Sequence, residues 1–146
     1  MSPVIDVHTH MYTHRWLELL RQHGGPDLEV KASLDSPNTV FYRGASFCVL
    51  EDPHFDYDVR IKNMDRAGVD IAIITMPAPS VFWGGAAYSL EAAQSANDEF
   101  ADAQSQYPDR IRWMASLPWE YPEAAVIELE RACNAGALGV LTLGNI

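Results

Sequence analysis

Cysteine is scarce in this chain, and its scarcity removes one kind of scaffold at the outset. Cys48 and Cys133 are the only two in 146 residues, far apart and without CxxC spacing. They exclude a disulfide-dense framework and read as reduced, buried small hydrophobes of a cytoplasmic protein. Basic charge is equally short, with 10 Lys and Arg against 20 Asp and Glu and a net charge of −10. Phosphate backbones need a basic surface, so nucleic acid is not expected as a partner. No apolar run is long enough to span a bilayer, and Met1-Ser2-Pro3 leads straight into an apolar strand. Neither a membrane span nor a signal peptide is therefore expected. Low-complexity tracts and short repeats are lacking too. What is present is a 48% hydrophobic chain, enough for one modest core and not for two.

Apolar runs at Val4–His8, Asp70–Thr75, Ile111–Leu117 and Leu138–Leu143 read as strands. The second is nearly continuous in β-branched residues, the pattern of a strand covered on both faces in a parallel sheet. Helical stretches alternate with these strands. Thr13–His23 carries Trp16, Leu17, Leu19 and Leu20 on one stripe and stops at Gly24-Gly25-Pro26. Val59, Ile61 and Met64 lie on a helix before Gly68, where a left-handed C-terminal residue is expected. Ser89 is predicted to cap a long helix reaching about Tyr107, and Pro122 suits the first turn of another that ends near Gly136. Between Leu28 and Leu50, the short β-prone pieces Leu28–Lys31, Thr39–Tyr42 and Ser46–Leu50 predict a small antiparallel unit. Strand–helix alternation around it implies βαβ units, hence an α/β fold in one domain over 1–146, with an insertion at 24–57.

The chemistry is concentrated in Asp6-Val7-His8-Thr9-His10. On a strand, alternation puts His8 and His10 on one face with Asp6 on the same side. Two imidazoles aimed the same way from a rigid element make half of a divalent-metal site, for zinc first and manganese second. Asp6 either orients a ligand histidine or caps backbone groups, and the sequence leaves both open. His14 reads as a solvated helix residue, His23 as a helix end that complements the dipole, and His54 as a loop residue. Phe82 and Trp83, beside Gly84-Gly85, read either as a lid over an aromatic or dienic substrate or as packing under a loop.

The HxH strand resembles the first barrel strand of the metal-dependent amidohydrolase superfamily. Further segments are similar to its decarboxylase-type branch, which holds the aminocarboxymuconate-semialdehyde, resorcylate and carboxyvanillate decarboxylases. These are Arg60 through Met64-Asp65 to Gly68-Val69, Asn97-Asp98 with Ala101, Tyr107-Pro108-Asp109-Arg110, Leu117-Pro118, and Ala135-Gly136 to Val140. The resemblance implies the N-terminal half of a (β/α)8 TIM-type barrel, because a complete barrel needs about 250 residues. It places the 24–57 insertion at the barrel mouth. It implies that the metal is completed by a later histidine and aspartate and that a further histidine serves as acid/base, all expected beyond Ile146. The branch also holds a substrate carboxylate with an arginine whose matching place here is Glu51.

The resemblance implies a carbon–carbon lyase, a decarboxylase of a small aromatic or dienic carboxylic acid acting as part of a longer chain. A metal-dependent hydrolase of an ester, lactone or amide and a non-catalytic truncated fragment are the alternatives. Unpaired strand edges predict self-association as a homo-oligomer.

Overall fold

Two small sheets of different kinds organise the chain, whose computed structural model describes residues 2–142 and Gly144. The first is parallel and contains β1 (Ile5–His10), β5 (Ile71–Thr75) and β6 (Ile111–Trp113) in that order. The second is an antiparallel meander of β2 (Leu28–Lys31), β3 (Asn38–Tyr42) and β4 (Ala45–Leu50). Helices α1 (His14–His23), α2 (Tyr57–Ala67), α3 (Gly85–Gln106) and α4 (Pro122–Asn134) connect them. The α/β class and the meander are as the hydrophobic pattern predicts, because each rests on local periodicity. Packing joins α1 to α3, and α3 to both β6 and α4. Trp16, Leu20, Ile74, Phe100, Ile111 and Trp113 are fully buried in the common core.

Helix ends follow local chemistry. Thr13 caps α1 by accepting the Trp16 N–H at 3.1 Å, and Asp56 caps α2 by accepting that of Val59 at 3.0 Å. Gly68 ends α2 in the left-handed conformation, φ 68°, which a side chain would resist. Pro122 opens α4 as predicted.

Several boundaries differ from the sequence reading, each for a non-local reason. The first strand runs on to His10 because β5 stays paired with it as far as Thr75. Ser89 does not cap α3, which begins at Gly85. Ser89 is buried inside that helix and donates its hydroxyl to the Val81 carbonyl at 2.6 Å. The third strand ends at Trp113 rather than Leu117, Ala115 keeps only a bridge to Val140, and the backbone of Ser116 is held by Asn97 instead of a strand. Asn97 Oδ1 accepts the Ser116 N–H and its Nδ2 donates to the Ser116 carbonyl, both at 2.9 Å. The fourth strand is reduced, among the described residues, to a parallel bridge between Ala115 and Val140, and Leu143 lies outside them. Cys133 is exposed rather than buried, and Cys48 is half-buried.

The Asn97-Asp98-Glu99-Phe100 segment is a structural staple. Besides holding Ser116, Asn97 donates to Oε1 of the fully buried Glu128 at 2.7 Å. Glu128 is in turn paired with Arg131, which also meets Asp98. Removing Asn97 takes the partners from two backbone groups of Ser116 and leaves Glu128 Oε1 with Arg131 Nη2, at 2.8 Å, as its remaining donor. Asn97→Ala should cost about 2–4 kcal/mol in urea denaturation.

Glu99 points to a second measurable effect. Burial pushes its carboxyl up to about 7, helped by Asp102 and opposed by the hydrogen bond from the Tyr57 hydroxyl. Between its ordinary 4.5 and about 7, the folded protein keeps a proton that the unfolded chain has released. Stability should therefore fall as pH rises through that window, and Glu99→Gln should remove the fall when denaturation is repeated across it.

Candidate metal-ligand site at the end of the first strand

Parallel pairing of β1 with β5 matches Ile5 to Ile71, Asp6 to Ala72, Thr9 to Ile74 and His10 to Thr75. From Asp6 to Thr9 β1 advances by three residues while β5 advances by two, so β1 carries a bulge at Val7-His8. The simple alternation that would set Asp6 and both histidines on one face is interrupted there. Beyond the bulge it resumes, and the rings of His8 and His10 stand together, centroids 4.8 Å apart at 73°. Asp6 Oδ1 accepts the backbone N–H of His8 at 3.1 Å, so its observed bond goes to the bulge and not to an imidazole. Of the two roles open for Asp6, this contact is of the backbone-capping kind.

His8 is exposed and His10 half-buried. His10 Nδ1 lies 2.8 Å from Thr75 Oγ1, and the Thr75 hydroxyl reaches the Thr9 carbonyl at 3.2 Å. From α2, Arg60 donates Nη2–H to the His10 carbonyl at 2.7 Å and Nε–H to Met11 Sδ at 3.4 Å. Burial lowers the pKa of His10, followed by the positive field of His8, with Thr75 opposing and Arg60 adding to the fall. A lowered pKa keeps the ring neutral, the form in which imidazole binds a metal.

These residues fit a divalent ion as a partial donor set. Two imidazoles at this separation can each place a nitrogen at the roughly 2.0–2.1 Å typical of zinc. Among the described residues, no group of three or more His, Cys, Asp or Glu side chains could hold a metal ion. Two clefts of about 460 and 490 Å³ open elsewhere, at His14 with Tyr57 and at Glu120–Ala124, and neither includes the histidine pair.

The other residues singled out from sequence are dispersed. Glu51 is exposed and lines a groove with Ser36 and Asn38 of the meander side. Its chain still passes near the strand end, because the following turn is tied there by the Tyr12 N–H to the His54 carbonyl at 2.9 Å. His54 is occupied locally, its Nδ1 accepting the Glu51 N–H at 3.0 Å. His14 is exposed and stacks on Phe55, and His23 stacks on Tyr88. Trp83 is buried, and its indole donates to the Ser80 carbonyl at 2.8 Å, an acceptor shared with Trp16 at 2.6 Å. Phe82 keeps more exposed surface than Trp83 and is the freer member of the aromatic pair.

Thr75 and Arg60 touch the histidine strand, and neither stood out as a site residue in the sequence. A threonine closing the apolar strand Ile71–Thr75 was the available signal for the first. For the second it was a cation on the inward side of a short amphipathic helix. Arg60→Met keeps the aliphatic stem but leaves the His10 carbonyl without its charged donor. It should cost about 1.5–3 kcal/mol in urea denaturation, with Arg60→Lys intermediate.

No protein-family model matches the chain. It is 30% identical over 143 residues to the 2-amino-3-carboxymuconate-6-semialdehyde decarboxylase of Dictyostelium discoideum, covering 97% of this chain and 40% of that protein. It is 37% identical over 89 residues to the gamma-resorcylate decarboxylase of Rhizobium radiobacter, covering 60% of this chain and 27% of the relative. The chain thus spans two fifths or less of the length of these relatives. A crystal structure of a dihydroxybenzoic acid decarboxylase from Polaromonas, with bound manganese and the inhibitor 2-nitroresorcinol, superposes with a TM-score of 0.68 at 25% identity. That match covers 99% of this chain and 39% of the other. These matches bear out the resemblance to amidohydrolase-type decarboxylases drawn from the motifs.

Proposed function

We propose that this chain supplies the first-strand ligands, His8 and His10, of a metal-dependent decarboxylase of small aromatic or dienic carboxylic acids. The carrying observation is the proximity of the two rings, centroids 4.8 Å apart at and just after a bulge near the C-terminal end of a parallel strand. Function in parallel barrels collects at that end of the strands. The near-complete superposition on two fifths of a decarboxylase supports reading the fold as half of a (β/α)8 barrel.

In this reading His8 and His10 hold the ion, and Thr75 and Arg60 hold His10. The ion, manganese by analogy with the structural neighbour or zinc by ligand chemistry, polarises substrate oxygens when bound. Protonation of the ring carbon precedes loss of carbon dioxide, and the acid that delivers the proton comes from polypeptide beyond the described residues. Phe82 and Glu51 are proposed to face the substrate side of the strand ends. Hydrolysis of an ester, lactone or amide could use the same first strand, and the decarboxylase relatives favour the lyase.

The surface of residues 1–146 carries exposed apolar side chains. Val4, just before β1, and Val7 within it are 53% and 66% exposed, and Val126 and Ile127 of α4 are 56% and 67% exposed. Apolar side chains on a strand edge and a helix face favour association. Residues 1–146 alone should therefore elute as dimers or larger species, bind metal weakly and show negligible turnover. Fused to the remaining part of the gamma-resorcylate decarboxylase, they should release carbon dioxide from gamma-resorcylate. His8→Ala should abolish that release and lower the metal found by elemental analysis, leaving the circular dichroism unchanged. A folded, metal-loaded chimera that hydrolyses esters and leaves the resorcylate intact would transfer the assignment to the hydrolase.

A further inference from the structure

We infer that Thr75 is a positioning residue that fixes the proton of His10 on Nδ1 and so leaves Nε2 as the ring nitrogen free to bind a metal. The inference deepens the proposed function and rests on His10 being a ligand. It follows from counting protons. A threonine hydroxyl has one proton to give and lone pairs with which to accept. The Thr75 hydroxyl is 3.2 Å from the Thr9 carbonyl, which can only accept, so its proton goes there. Its oxygen is then left to accept at the second contact, 2.8 Å from His10 Nδ1, which assigns the hydrogen to that nitrogen. A neutral imidazole has one N–H, which leaves Nε2 with the lone pair.

The geometry is built to persist. Thr75 and Thr9 are both buried, and Thr75 is the direct ladder partner of His10 across the parallel pair. The Met11 N–H donates to the Thr75 carbonyl at 3.1 Å, and Arg60 fixes the His10 carbonyl at 2.7 Å, so both strands are pinned at this residue pair. Ring orientation and tautomer are thus set by one hydroxyl that reads the neighbouring strand's backbone. An acceptor for the N–H of a ligand histidine's second nitrogen is known to matter by about 10–100-fold in metal affinity.

The test begins on the metal-free chain. Nitrogen-15 NMR of the imidazoles at about pH 8, where an ordinary histidine is neutral, reports which nitrogen carries the proton. The unaltered protein should show His10 as a single tautomer protonated on Nδ1, and Thr75→Ser should preserve it. Thr75→Val should give a mixture weighted toward the Nε2–H form and weaken zinc binding, followed by titration calorimetry, by about 10–100-fold. Thr75→Ala serves the same purpose should the valine variant fail to fold. An Nε2–H tautomer in the unaltered protein would overturn the inference without any variant. A tautomer that does not move in Thr75→Val or Thr75→Ala would overturn it as well. Zinc affinity unmoved in those variants but lost in His10→Ala would reject Thr75 as a positioning residue while leaving His10 a ligand. Affinity unmoved in His10→Ala too would remove the metal-ligand reading itself.

Discussion

Parallel pairing between β1 and β5 is the constraint on which the rest of the molecule depends. It keeps Thr9 and Thr75 buried, and it brings the C-terminal end of β1 beside that of β5. Everything chemically distinctive follows from that alignment. The bulge at Val7-His8 is accommodated within it, Asp6 satisfies the N–H the bulge exposes, and Arg60 reaches across from α2 to the His10 carbonyl. A polar strand end of this kind would be unstable in isolation. Here each backbone group named is matched to a partner, as burial demands.

Elements set by local chemistry were legible in the sequence, and those set by distant partners were not. Gly68 and Pro122 announce helix limits because a left-handed residue and a fixed φ act within one turn. The continuous apolar run before Thr75 announces a covered strand for a similar reason. Ser89 misleads, because a serine at a plausible cap position is chemically identical to one that donates to the Val81 carbonyl from inside a helix. The end of the apolar run after Trp113 misleads too, because Asn97 holds the backbone of Ser116 from another element and leaves no trace in the run's own pattern.

The site divides along the same line. The histidine pair could be read from its spacing, and the decarboxylase resemblance from ordered motifs along the chain. The bulge could not, since it exists only in the register between two strands. Thr75 and Arg60 were invisible as site residues because each acts on the backbone or the second nitrogen of a histidine far away in sequence. The two indoles that share the Ser80 carbonyl were likewise hidden, and they anchor Trp83 while Phe82 stays the freer of the pair.

A strand with one residue too many has a property its side chains do not express. Its chemistry is tolerant of exchange at Val7, whose side chain meets water, but it is intolerant of any change in length. Loss of a single residue between Asp6 and Thr9 would restore a regular ladder at one of two costs. The Val4–Asp6 segment would slip out of register with β5, or the histidine pair would turn away from Thr75. The bulge thus acts as a spacer in the reading of the fold, and insertions or deletions there are more damaging than the substitution of an exposed valine suggests.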